Sequence, residues 1–238
     1  MVYAGPTHAL TSCPTRARIG DRPCRAAYGE GETLRSSMVS NARIRKVSFT
    51  GLIDEGKRLI ALCSATVKKV SLELGANCPF IVFDAEIDLA VKGAIDARFR
   101  HSGQAAMCAN RFLVHTDVYE DFVTRLVAKV SALTLGDGMV EGTQIGPLIG
   151  DAVVTRIEGL VDEAVQAGAA VPTGGSRLTT GSNFFRPTVL TGTHPGMGVC
   201  DDEILGPVAT PTWRVARSTT QFLDRPETRS FFNGPSTS

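Results

Sequence analysis

The sequence predicts an α/β fold in which short strands alternate with amphipathic helices, and three observations carry that expectation. Val47 to Thr50 is a short strand that passes through Gly51 into a helical run, Ile53 to Cys63. Lys68 to Leu74 alternates with the period of a strand, Pro79 to Asp84 is a second and more apolar one, and Ile87 to Arg100 then repeats its apolar residues at helical spacing. Phe112 to His115 followed by Val118 to Leu133 repeats the pattern. Alternation of this kind builds a parallel or mixed sheet covered by helices.

Taken in order, Met1 to about Tyr28 is rich in Thr, Arg, Pro, Ala and Gly without a sustained period, which predicts little regular structure. The helix from Ile53 is entered through Gly51, a geometry in which helix-terminal N–H groups can meet a phosphate. Gly51 and Gly56 would equally serve a tight strand-to-helix turn with no ligand at all. The helix from Ile87 gathers Ile87, Ala90, Val91, Ala94, Ile95 and Ala97 on one face. Phe122, Leu126, Val130 and Leu133 do the same in the next helix. Gly136-Asp137-Gly138 and Gly146-Pro147 are turns; Val153, Ile157, Leu160, Val161 and Ala164 mark a further helix ending near Gly168. Ala169 to Pro172 and Thr188 to Leu190 are candidate strands, and Arg217 to Ser238 is a polar tail.

The 238 residues suffice for one large domain or two small ones, and 43% hydrophobic content for a sizeable core. A formal charge of +1, from 25 basic and 24 acidic residues, offers no field for nucleic acid or an anionic membrane, so a small-molecule partner is expected. Cys13, Cys24, Cys63, Cys78, Cys108 and Cys200 are scattered, and His101, His115 and His194 are dispersed. That spacing points away from a zinc site or a disulfide framework and toward a reducing compartment. With no apolar leader in Met1 to Pro14 and no run long enough to span a bilayer, a cytoplasmic protein is expected.

In the run Arg98-Phe99-Arg100-His101-Ser102-Gly103-Gln104-Ala105-Ala106-Met107-Cys108-Ala109-Asn110-Arg111 a helix gives way to a glycine-containing loop and then a strand, a good place to hold a reactive side chain. The run resembles the nucleophile loop of the aldehyde dehydrogenase superfamily, in the form Gly-Gln-Thr-Cys-Val-Cys-Ala-Asn-Arg typical of succinate-semialdehyde dehydrogenases. Gly103, Gln104, Cys108, Ala109, Asn110 and Arg111 match, whereas Ala106 stands where the attacking cysteine belongs. Val47–Gly51, Val70–Gly75, Gly146–Ile149, Asn183–Leu190 and Glu203–Val208 follow in the family's order, and such an order is far more specific than a lone glycine pattern. The resemblance runs from about Gly29 to Val215.

It implies part of the aldehyde dehydrogenase fold: a remnant of the NAD(P)-binding domain over 29–75 and a partial catalytic domain over 76–215, with 1–28 and 216–238 unmatched. The implied activity is NAD- or NADP-dependent oxidation of an aldehyde, succinate semialdehyde, through thiolate attack, hydride transfer and hydrolysis of a thioester. By the same resemblance Glu73 is the general base, Arg100 binds the substrate's distal carboxylate, and Glu203 accepts from the nicotinamide ribose. A surface glutamate and a helix-terminal arginine are the alternatives for the first two. Gly51 and Gly56 belong to the segment beside the cofactor pyrophosphate, but Leu52 and Ile53 replace its serine and threonine; Leu205 replaces a phenylalanine near the nicotinamide, and Ala76 a glycine. Alanine has no lone pair, so Ala106 cannot attack an aldehyde. Cys108, two residues along, would sit roughly 6 to 7 Å further on in an extended loop, beyond the reach of about 3 to 3.5 Å that reaction needs. The expectation is an inactive relative that at most binds a ligand or a full-length homologue.

Overall fold

The computed structural model describes residues 17–19, 22–24, 31–83 and 86–214. The chain divides into two compact units, residues 1–75 and 76–238.

In the first unit, β1 (Ala17–Ile19) and β2 (Arg22–Cys24) pair antiparallel. A short strand pair thus stands where composition predicts no regular structure; the rest of Met1 to Tyr28 lies outside the described residues, as does the tail from Val215. Helix α1 (Gly31–Ser40) has no counterpart among the predicted elements, because Ser36, Ser37 and Ser40 break up its apolar spacing and only Val39 is fully buried. β3 (Lys46–Gly51), α2 (Ile53–Ser64) and β4 (Lys69–Leu74) follow, with β3 and β4 paired in parallel from Lys46 opposite Lys69 to Gly51 opposite Leu74. Val39, Phe49, Leu59 and Cys63 form the small core. Gly56 lets α2 lie close on β4: a Cβ there would come within 2.6 Å of the Leu74 side chain. Lys68 is buried and its Nζ donates to the carbonyls of Asn41 and Ile44, both at 2.9 Å, satisfying backbone acceptors just past the end of α1.

The second unit contains β5 (Pro79–Val82), α3 (Ile87–Arg98), β6 (Arg111–His115), α4 (Thr116–Ser131), α5 (Asp151–Gln166), β7 (Ala170–Thr173), β8 (Thr188–Thr191), the single turn α6 (Gly198–Asp201), β9 (Val208–Ala209) and β10 (Pro211–Arg214). β5 is shorter than its apolar run suggests, and Asp84 lies outside the described residues. One sheet is parallel with β6 at its centre, Phe112 opposite both Phe80 and Pro211. The other sets β8 between antiparallel β7 and parallel β9. Each has its own core: Val91, Ala94, Phe112, Val114, Phe122 and Leu126 join α3 and α4 to the first sheet. Val154, Ile157, Phe185, Leu190, Val199 and Val208 join α5 to the second. At roughly 1.5 to 3 kcal/mol for each fully buried large side chain, these cores set where the loops between them must run.

Candidate active site

Helix α3 buries Val91, Ala94 and, one turn on, Arg98. Apolar spacing carries the helix to Arg100, but it stops at Arg98, and a tight turn over Arg100–Gly103 follows in which His101 (φ 52°), Ser102 (φ 58°) and Gly103 (φ 73°) are all left-handed. For a residue with a Cβ this conformation costs about 1 to 2 kcal/mol, so the surroundings must impose it. Ser102 is buried, and its Oγ donates to the Gly146 carbonyl at 3.0 Å while accepting from the Gly146 N–H at 2.9 Å. Gln104 reaches the same segment: its Oε1 accepts from Ile149 N–H at 2.8 Å and its Nε2 donates to Pro147 O at 3.4 Å. On another side Gly103 presses on Gly206, where a Cβ would stand 2.1 Å from the carbonyl oxygen. The Gly146–Ile149 and Glu203–Val208 motifs, remote in sequence, are thus two walls that hold this loop.

Past the walls the chain makes a second turn, closed by Cys108 N–H donating to Ala105 O at 3.0 Å. Ala106 and Met107 form its corners and face outward, Met107 with 87% of its surface exposed. The loop is therefore not extended. Cys108 turns inward instead of running on beside position 106; it is buried, with Sγ 4.0 Å from the Arg100 carbonyl. Its thiol serves packing, which is the usual lot of a buried cysteine.

The exit from the turn is tied down by Arg98, whose role is not evident from local sequence. Nη1 donates to Ala109 O at 3.2 Å and Asn110 Oδ1 at 2.7 Å, and Nη2 donates to Ile204 O at 2.9 Å and Gly206 O at 2.6 Å. The Asn110 Oδ1 also accepts from Ile204 N–H at 3.2 Å, and its carbonyl accepts from Thr210 Oγ1 at 3.0 Å. A signal is present in the sequence, since position 98 falls three and four residues beyond Ile95 and Ala94 on the apolar stripe of α3, where a charged residue has to be buried.

Glu203 lies next to this network and is partly buried. Burial pushes its carboxyl above the ordinary glutamate value, opposed by the Ala76 N–H and by the charges of Arg156 and Arg98. Leu205 beside it is exposed, and Arg100 is exposed at the head of the left-handed turn. Among the described residues no three His, Cys, Asp or Glu side chains cluster as a metal would need.

In the first unit, Glu73 sits on the outward face of β4 with Lys69 and Ser71, while Val70, Leu72 and Leu74 face inward. It is an exposed carboxylate, not one in an apolar cleft. The α2 N-terminus is poorly suited to a pyrophosphate: no side chain caps it, Leu52 and Ile53 are exposed, and Asp54 and Glu55 put two carboxylates into its first turn. Glu55 is paired with Arg35 at 3.3 Å and Asp54 with Lys57 at 3.7 Å, so the local cations are taken up and only the helix dipole is left to draw a negative ligand. Gly51 is crowded by its own neighbour, since a Cβ would lie 2.5 Å from the Phe49 ring.

The walls, the left-handed turn and the outward corner at position 106 all lie within a stretch that matches one enzyme family. Residues 10–213 match the aldehyde dehydrogenase family, and the chain belongs to that family. The match begins upstream of Gly29. The chain is 42% identical over 207 residues to the mitochondrial succinate-semialdehyde dehydrogenase of Arabidopsis thaliana, covering 86% of this chain and 39% of that protein. It is 41% identical over 202 residues to the NADP(+) succinate-semialdehyde dehydrogenase GabD of Escherichia coli, covering 84% of this chain and 42% of that protein. The crystal structure of succinate-semialdehyde dehydrogenase from Burkholderia pseudomallei superposes with a TM-score of 0.78 at 44% identity, over 80% of this chain and 40% of that one. The chain therefore spans about two fifths of the length of the relatives it matches. No helix among the described residues is long and apolar enough to cross a membrane.

Proposed function

We propose that the chain carries part of the scaffold of an NAD(P)-linked aldehyde oxidation site, shaped for succinate semialdehyde, and that it does not turn this substrate over as written. The observation that carries the proposal is Ala106 at the outward corner of the turn over 105–108: a methyl group cannot form the covalent intermediate through which the reaction passes. In this reading the exposed Arg100 guanidinium suits the distal carboxylate of a semialdehyde, because its planar fork pairs with a carboxylate bidentately. Glu203 is the acceptor for ribose hydroxyls; the resemblance makes Glu73 the base, a role that its exposed place on β4 does not support. The relatives named for succinate semialdehyde support the substrate, and one named for NADP(+) keeps both nucleotides in play. Among the described residues Cys63, Cys78, Cys108 and Cys200 are free, which fits a reducing compartment such as the cytoplasm.

A second role, a non-catalytic relative that binds a ligand or a full-length homologue, is favoured by the α2 N-terminus, which has no capping side chain and whose nearby cations are already paired with Asp54 and Glu55. The test is nucleotide reduction with succinate semialdehyde and NAD or NADP, run on the chain and on Ala106→Cys. Turnover by the unaltered chain overturns the proposal. Turnover by the variant alone means that the missing thiol is the whole defect; silence from both means that it is not, and leaves the second role standing.

A further inference from the structure

We propose that Arg98 is a positioning residue: its guanidinium fork clamps the exit of the turn bearing position 106 to the segment bearing Glu203 and so fixes the spacing between them. The proposal rests on reading those two positions as parts of one site.

The geometry is that of a clamp with two jaws. Nη1 holds Ala109 O and Asn110 Oδ1, which leave the turn at Cys108; Nη2 holds Ile204 O and Gly206 O, which follow Glu203 directly. Four of the five guanidinium N–H groups are used, Nε being the one with no partner, and no carboxylate is among the acceptors. A fully buried cation whose hydrogen bonds all go to neutral acceptors is a costly way to fill space, and burial pulls this guanidinium down to about 10, opposed in part by the nearby Glu203 carboxylate. Such a group is better explained by what it aligns than by what it stabilises. One oxygen shows the alignment: Gly206 O, drawn to 2.6 Å from Nη2, is the atom against which Gly103 is pressed. Arg98 thereby sets how closely the left-handed turn approaches the Glu203 segment. Asn110 closes the clamp, its Oδ1 shared between Nη1 and the Ile204 N–H. A lysine could not replace the fork, because one ammonium cannot sit at both jaws at once.

The test reads local opening and needs no turnover, so its outcome is separate from that of the activity assay. Amide hydrogen exchange is followed by mass spectrometry in the chain, in Arg98→Met and in Arg98→Lys. The expected result is that exchange over residues 103–110 and 203–207 rises together by at least about tenfold in both variants, while α5 over Asp151–Gln166 keeps its protection. A rise spread evenly over residues 76–214 would make Arg98 a general stabiliser and overturn the proposal. So would an Arg98→Lys chain as protected as the original. If Arg98→Met does not fold, Asn110→Ser removes the shared acceptor and is expected to open the same two segments; opening of only one of them would again overturn the proposal.

Discussion

Gly103 and Gly206 meet backbone to backbone: a Cβ on Gly103 would lie 2.1 Å from the Gly206 carbonyl oxygen, and Gly103 itself has φ +73°. Neither feature tolerates a side chain, and the obstacle is main chain already held by Arg98, so it cannot swing aside. Gly103→Ala is expected to destabilise the second unit by about 3 kcal/mol, summing a left-handed alanine and an overpacked contact. Gly138→Ala, with nothing within 4 Å of its Cβ, serves as the control and is expected to stay within about 0.5 kcal/mol. Urea midpoints of the two variants measure the difference, and equal midpoints would show that the two segments do not touch as described.

Much of this is legible in the order of the amino acids. The strand and helix alternation follows from apolar period, and in the second unit most predicted elements stand within a few residues of their place. Ala106 stands out as the position where the resemblance expects a nucleophile because its neighbours keep their identities. What the period cannot show is where a helix ends for tertiary reasons. α3 stops at Arg98 because Ser102 and Gly103 are captured by Gly146 and Gly206, residues far away in the chain. An extended loop misplaces Cys108 for the same cause, since a turn closed by Ala105 carries no apolar signature. Arg98 and Arg100 look alike on either side of Phe99; one ends α3 and is fully buried against the Ala109 and Ile204–Gly206 carbonyls, the other heads the left-handed turn and is exposed. The α1 helix and the two-residue β9 escape the pattern because the first is polar and the second too short to show a period.

Ser102 offers a finer test of the wall formed by Gly146. Ser102→Ala removes both hydrogen bonds and keeps the left-handed strain, whereas Ser102→Gly removes the bonds but relieves the strain. The alanine variant is expected to lose about 2 kcal/mol. The glycine variant should be the more stable of the two by about 1 kcal/mol. Thermal or urea melting of both supplies the comparison, and alanine equal to or better than glycine would mean that Ser102 does not hold the conformation assigned to it.

Arg177 anchors the connection between β7 and β8 onto α5. Its Nε lies 3.0 Å from both oxygens of Glu158, its Nη2 2.8 Å from Glu158 Oε2 and 3.1 Å from Thr155 Oγ1, and its Nη1 2.7 Å from Asp151 Oδ1. The hydrogen bond from Arg177 holds the Glu158 carboxyl below its usual value of 4.5. A depressed carboxyl contributes stability that is complete above 4.5 and is lost as the pH falls through the lower folded value. Arg177→Met is expected to lower the urea midpoint at neutral pH, and by more than removal of a lone surface pair would, because the contact is bidentate and networked. Below pH 4 the gap between the two chains should narrow. A gap that stays constant down to pH 3 would assign the effect of the substitution to packing of the arginine stem.

Glu203 has the opposite sign. Burial raises its carboxyl, so folding prefers the protonated form, and its contribution to stability is largest below the ordinary value and declines as the pH rises toward the folded one. Above that point the ionised group is a standing cost, offset in part by the Ala76 N–H and by the charges of Arg156 and Arg98. A glutamine keeps the shape and cannot ionise. Glu203→Gln is therefore expected to melt higher than the original chain at pH 7 and to lose that advantage at pH 4, where the original is largely protonated. A carboxylate kept where it destabilises the fold is what a ligand-facing group looks like. If the glutamine variant is instead less stable at pH 7, the carboxylate is a structural anchor, and the case for Glu203 as the acceptor of ribose hydroxyls loses its physical support.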